Sequence, residues 1–149
     1  IHATGNFGRE WMPKRVHDNG VDWENCPSID IRDYIYNMPT VLAAADLIIG
    51  RAGSATCNEI AASGTPCILI PSPNVTNNHQ EKNARVLEEG GGAVVLLEKD
   101  VSPEVLYGQI QQLLADASRR EEMSRKLHGM VRLNSTEQIC GIVEDMIKA

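Results

Sequence analysis

The sequence predicts an α/β protein in which a parallel sheet is flanked by helices, and three observations predict it. Short apolar runs alternate with longer segments of helical period along the chain, the pattern of successive βα units. Two of those runs, Leu47-Ile48-Ile49 and Cys67-Ile68-Leu69-Ile70, are uninterrupted, as strands covered on both faces require. The turns after them are short or polar and rich in Gly, Ser and Asn, which suits loops at the carboxyl ends of parallel strands.

In chain order, Ile1 to Thr4 reads as a strand end, and Trp11 to His17 as a helical stretch closed by Asn19-Gly20. Ser28 to Arg32 is a short strand, followed by the turn Asp33-Tyr34-Ile35. Met38 to Ala45 forms a short helix and Asp46 to Gly50 a strand. After the break Arg51-Ala52-Gly53-Ser54 comes a helix over Thr56 to Ser63, with Gly64 at its C′ position and Pro66 just beyond. Cys67 to Ile70 is the next strand, and the polar loop Pro71 to Asn78 opens a helix from His79 to Glu89 that stops at Gly90-Gly91-Gly92. Ala93 to Leu97 is the last strand. Three closing helices follow, marked by the N-cap and N1 pair Ser102-Pro103 and by the capping-box patterns Ser118-x-x-Glu121 and Ser135-x-x-Gln138.

At 149 residues the chain fits one domain spanning 1–149, or half of a two-lobed protein. Its 42% apolar and 23% charged residues are a globular balance, and with only six aromatics the core must be aliphatic. A net charge of -6 provides no sequence-wide cationic field for a phosphate backbone, so nucleic acid is not an expected partner. No apolar run approaches the ~20 residues that span a bilayer. The first residue is Ile1, in what reads as the middle of a folded unit, and the chain is expected to be a piece of a longer protein. Cys26, Cys57, Cys67 and Cys140 show no C-x-x-C pair and no histidine at zinc-finger spacing, so neither a metal site nor a disulfide framework is expected. Cys57 and Cys67 read as buried thiols of a reducing, cytoplasmic compartment.

Candidate chemistry gathers in three loops. After Gly50 the small residues of Arg51-Ala52-Gly53-Ser54-Ala55-Thr56 lead straight into a helix N-terminus, whose free N–H groups and partial positive charge suit a phosphate. The spacing is not that of G-x-G-x-x-G, and no G-x-x-x-x-G-K-[ST] occurs. Glu59 has two readings: the acidic partner of a Thr56-x-x-Glu59 capping box, or a carboxylate one turn into the helix that accepts both vicinal hydroxyls of a ribose. His79 and Asn83 stand at i and i+4 with Gln80 beside them, a set able to donate to and accept from sugar hydroxyls. The alternative is Asn78 as N-cap with His79 a solvated first-turn residue. No nucleophile-and-base set stands out, so the residues describe a binding site more clearly than a catalytic one.

Together these loops resemble the donor-binding half of the MurG family of bacterial cell-wall glycosyltransferases. The family moves N-acetylglucosamine (GlcNAc) from UDP-GlcNAc to undecaprenyl-diphospho-N-acetylmuramoyl-pentapeptide, the step from lipid I to lipid II in peptidoglycan synthesis. The matching residues are Tyr34-Ile35 to Met38, Ala43-Ala44-Ala45-Asp46, Arg51-Ala52-Gly53-Ser54-Ala55-Thr56 to Glu59-Ile60-Ala61-Ala62, Gly64-x-Pro66, and Pro71 to His79-Gln80-x-x-Asn83-Ala84. The resemblance implies the C-terminal half of a GT-B fold, Rossmann-like, with no cofactor and no metal requirement. It implies that Ile35 bonds uracil through its backbone, that Glu59 holds the ribose hydroxyls, and that Ser54, Ala55 and Thr56 meet the sugar and diphosphate. Under the same resemblance His79, Gln80 and Asn83 contact GlcNAc hydroxyls or support that loop, while Arg51 and Gly53 belong to the donor turn, Arg51 as a buttress.

The family's Gly-Gly-Ser-x-Gly turn has no counterpart in this sequence, which is expected to begin just after it, and the acceptor-binding lobe is absent too. The expected partners are therefore UDP-GlcNAc, that N-terminal lobe, and the undecaprenyl-linked acceptor through it. The full-length protein is expected to be peripheral on the cytoplasmic face of the plasma membrane, and the fragment alone inactive. Two other readings are a stand-alone donor-binding subunit that works with a separate acceptor-lobe protein, as in the eukaryotic two-chain transferase making the second dolichol-linked GlcNAc, and a UDP-sugar epimerase of the same fold.

Overall fold

A computed structural model describes residues 1–131 and 134–148. The chain divides into two compact units, Ile1–Val41 and Leu42–Ala149. In the first, strand β1 (His2–Ala3) lies parallel to β2 (Ile31–Arg32), with His2 opposite Ile31 and Ala3 opposite Arg32. Helices α1 (Gly5–Gly8) and α2 (Trp11–Asp18) form the crossover between them. The strand expected over Ser28 to Arg32 is only its last two residues. A turn in which Ile29 N–H bonds the Cys26 carbonyl at 3.1 Å, around Pro27, takes up the start of that segment. Helix α3 (Met38–Ala44) follows.

The second unit holds a three-stranded parallel sheet in the order β3 (Ile48–Gly50), β4 (Cys67–Leu69), β5 (Ala93–Val95). Its register pairs Ile49 with Ile68 and Ile68 with Val94. The strands therefore fall into two parallel sheets. Helices α4 (Ser54–Ser63) and α5 (His79–Glu89) are the crossovers, and α6 (Pro103–Ala115), α7 (Ala117–Met130) and α8 (Ser135–Lys148) close the chain. Both faces of the sheet are covered, as the uninterrupted apolar strands require. Cys67 and Leu69 pack with Cys57, Ile60 and Ala61 of α4, Ala84 and Leu87 of α5, and Leu127 of α7. Ile68, pointing the other way, packs with Leu113 of α6 and Met123 of α7.

Helix ends corrected three sequence expectations. α4 starts at Ser54 rather than Thr56, because Gly53 is extended (φ -63, ψ 150) and its carbonyl already accepts the Cys57 N–H at 2.9 Å. Thr56 and Glu59 thus lie inside the helix, and the capping-box reading of that pair falls. α7 is capped by Asp116, whose carboxylate accepts the Arg119 N–H at 2.9 Å, and Ser118 is already helical. α8 likewise has Ser135 as its first helical residue, one position later than a capping box needs. Two expectations held: Ser102 caps α6 through the Val105 N–H with Pro103 at N1, and Gly64 ends α4 in the left-handed conformation (φ 68) that favours glycine.

Candidate functional site

The loops after β3, β4 and β5 leave the same edge of the sheet, the carboxyl end of its strands, where open α/β sheets bind ligands. The turn after β3 is a backbone-lined approach. A side chain at Gly50 would meet nothing within 4 Å, and one at Gly53 only Thr56 Oγ1 at 3.7 Å; neither glycine has positive φ. Neither packing nor backbone conformation accounts for these glycines, whereas a ligand approaching the main chain would.

No side chain caps α4. The N–H groups of Ser54, Ala55 and Thr56 are left by geometry without intrahelical partners, at the positive end of the helix dipole. Ala55 and Thr56 precede Glu59 by four and three residues, which places all three toward one side of the helix, away from the buried Cys57, Ile60 and Ala61. Glu59 is exposed, and among the described residues it makes no hydrogen bond or ion pair. A free carboxylate one turn from a bare helix N-terminus is therefore what the local sequence builds.

Helix α5 starts without a side-chain cap as well. Asn77 (φ 55) and Asn78 (φ 51) are consecutive left-handed residues ahead of it. Asparagine tolerates this better than most residues, yet each costs about 1 kcal/mol. Asn78 does not cap α5; its side-chain amide donates to Glu81 Oε2 at 2.6 Å, which helps hold the Glu81 carboxyl below the ordinary value, with Arg85 assisting. The capping role considered for Asn78 is thereby replaced by a side-chain bridge. His79 is exposed, and its Nδ1 lies 2.9 Å from the Thr76 carbonyl. A carbonyl only accepts, so Nδ1 carries the proton of this bond and Nε2 is left without a partner among the described residues.

Gln80 and Asn83 support loops. Gln80 Oε1 accepts from the N–H of Ser72 at 2.9 Å and of Ala52 at 3.3 Å, and Asn83 Nδ2 donates to the Ala52 carbonyl at 3.1 Å. The turn after β3 and the loop after β4 are thus pinned to the start of α5. Arg51 reaches across the strand ends: its Nη1 donates to the Ile70 carbonyl at 3.1 Å and to the Glu98 carboxylate in the loop after β5. Glu98 is the residue of this site that sequence reasoning misses, since its partner lies 47 positions away.

Arg51, Gly53, Ser54, Ala55, Thr56, Glu59, His79, Gln80 and Asn83 all belong to the second unit. Ile35 belongs to the first, with its side chain buried and neither its N–H nor its carbonyl hydrogen-bonded among the described residues. Among the described residues no group of three or more His, Cys, Asp or Glu side chains is placed to hold a metal ion. No described helix is long and apolar enough to cross a membrane.

A parallel sheet covered on both faces, with a glycine-bearing turn running into an uncapped helix at its carboxyl edge, defines the class of the domain. More particularly, the chain belongs to the glycosyltransferase family 28 C-terminal domain family, which matches residues 1–139. It is 42% identical over 148 residues to the UDP-N-acetylglucosamine--N-acetylmuramyl-(pentapeptide) pyrophosphoryl-undecaprenol N-acetylglucosamine transferase of Acetivibrio thermocellus, covering 99% of this chain and 39% of that protein. The enzyme of the same name from Desulforamulus reducens is 37% identical over 147 residues, 99% of this chain and 40% of that protein. The crystal structure of Acinetobacter baumannii MurG superposes with a TM-score of 0.75 at 27% identity, over 89% of this chain and 39% of that one. The glycosyltransferase VinC, solved in complex with DTDP, shares the fold at TM-score 0.67 and 19% identity, over 91% of this chain and 33% of that one. The chain spans about two fifths of the length of the first two relatives.

Proposed function

We propose that this chain is the donor-binding half of a transferase that moves GlcNAc from UDP-GlcNAc onto undecaprenyl-diphospho-MurNAc-pentapeptide. The observation that carries the reading is the pairing, on one face of α4, of a bare helix N-terminus with the unpartnered Glu59 carboxylate. The diphosphate sits against the N–H groups of Ser54, Ala55 and Thr56, and Glu59 accepts hydrogen bonds from the two ribose hydroxyls one turn further on. His79 Nε2, the Gln80 amide nitrogen and the Asn83 carbonyl oxygen are the atoms left over from loop support to face the sugar.

In the transfer, the bond from the anomeric carbon of GlcNAc to the β-phosphate oxygen breaks and one to the acceptor oxygen forms, so negative charge grows on the departing UDP. Fixed N–H dipoles aimed at that charge stabilise it more than the neutral bond it replaces. In this reading helix dipoles meet the diphosphate charge and no metal ion is needed. The acceptor, its general base and the contact with the cytoplasmic face of the membrane belong to a partner lobe outside this chain.

Calorimetric titration of UDP and UDP-GlcNAc, with Glu59→Ala alongside, tests the reading. Loss of two hydrogen bonds to a charged acceptor weakens binding at least about tenfold. The exposed, unpaired side chain leaves fold stability within about 0.5 kcal/mol. Equal affinity for UDP in the folded variant and its parent, or no affinity in either, overturns the assignment.

A further inference from the structure

The turn between Gly50 and Ser54 is held by the buried methyl group of Ala52, which packs in the core, and by two polar anchors. Its glycines offer no side chains to pack, and Ala52 is held from α5 by Gln80 and Asn83. The second anchor is Arg51, whose guanidinium joins the carbonyl of Ile70, the residue just past β4, to the carboxylate of Glu98, three residues past β5. The backbone ladder continues to this level: Ile70 N–H bonds Gly50 O at 2.9 Å and Leu96 N–H bonds Leu69 O at 3.0 Å. Arg51 and Glu98 therefore tie together the ends of all three strands at the edge where the bare α4 N-terminus opens.

As a device for holding the fold such a pair is poor. Its side chains are 53% and 44% exposed, and ion pairs this open to water contribute little to stability. Its location points to another role. We propose that Arg51 and Glu98 are a positioning pair for the anion-binding turn: they fix the turn so that the N–H groups of Ser54, Ala55 and Thr56 converge on a nucleoside diphosphate that neither side chain needs to touch. The inference rests on the donor-site reading above and adds to it a residue outside the donor loops, Glu98. Its physical content is preorganisation: a turn already held in its bound shape loses less conformational freedom when the ligand arrives.

The test is a double-mutant cycle on the whole chain with Arg51→Gln, Glu98→Ala and the pair, reading UDP affinity by calorimetry, the thermal midpoint, and amide exchange at Ala52 and Cys57, the hydrogen-bonded N–H groups of the turn. A positioning pair predicts that each single change weakens UDP binding by about 3- to 10-fold and speeds exchange in the turn. The double variant is then no worse than the weaker single one, and the thermal midpoint moves by no more than about 2 °C. If Glu98→Ala binds UDP as the parent does while Arg51→Gln does not, Arg51 acts on the ligand directly and the pairing is overturned; additive losses overturn it as well. If the parent protein binds no UDP, the donor-site reading falls separately. Exchange then decides the pair alone, with unchanged rates in both single variants refuting it and faster rates in both upholding it as the anchor of the turn.

Discussion

Asn83 Nδ2 lies 3.1 Å from the carbonyl oxygen of Ala52, and Gln80, one helical turn earlier, accepts the N–H of that same residue. Ala52 is fully buried, so no solvent stands ready to replace either bond. Asn83→Ala leaves the carbonyl without its side-chain partner and is expected to cost about 1–3 kcal/mol in urea unfolding. A loss under about 0.5 kcal/mol would mean that the turn keeps its place without α5.

Gly92 touches a neighbour that has nowhere to go. A methyl group there would stand 2.5 Å from Leu127 Cδ2, and Leu127 is completely buried. Gly92→Ala should destabilise by about 1–3 kcal/mol through overpacking. Combining it with Leu127→Ala should give less than the sum of the two separate losses, because each change relieves the other. Additive losses in denaturant titrations would contradict the contact.

The corrected helix ends can be checked by a comparison of three serine and aspartate positions. Ser102→Ala and Asp116→Ala each remove a cap whose oxygen accepts a first-turn N–H, at 3.2 and 2.9 Å, and should cost about 0.5–2 kcal/mol. Ser118→Ala, one residue inside α7, should change stability by less than about 0.5 kcal/mol. A larger loss at Ser118 than at Asp116 would restore the capping box that the sequence pattern alone favours.

Burial pushes the Cys67 thiol up to about 12, with the neighbouring Cys57 adding to the shift, and Cys57 is itself raised by burial. In the unfolded chain both ionise near the ordinary value of 9.0. Above that pH the unfolded state binds fewer protons than the folded one, so stability should be full below about pH 9 and decline as pH rises from there toward about 12. At neutral pH an alkylating reagent should modify the exposed Cys140 and spare Cys57 and Cys67. Equal labelling of Cys57 or Cys67 in the folded protein would contradict their burial.

Most of the second unit was legible because its signals are local. The unbroken runs Leu47-Ile48-Ile49 and Cys67-Ile68-Leu69 announced strands covered on both faces, and Gly64 and the Ser102-Pro103 pair marked helix ends by backbone chemistry that needs no tertiary context. The start of α4 lies two residues ahead of the expected one because Gly53 offers no side chain to signal an N-cap. The dual possibilities left for Gln80 and Asn83, and the unnamed partners of Arg51, reflect a different limit. Residue type says that an amide or guanidinium will bond, but partners 28, 31, 19 and 47 positions away are chosen by the fold. The same distance hid Glu98 altogether.

The bare start of α4 also bears on how occupancy feeds back on the protein. No side chain of the protein satisfies its first-turn donors, so under the donor-site proposal a bound diphosphate would complete the helix in the way a capping residue does. The first turn is then the part of α4 with most to gain, and a ligand at one hundred times its dissociation constant adds roughly 2.7 kcal/mol to the folded state. Melting temperature becomes a reporter of saturation, and fraying at Ser54 a measure of how empty the site is.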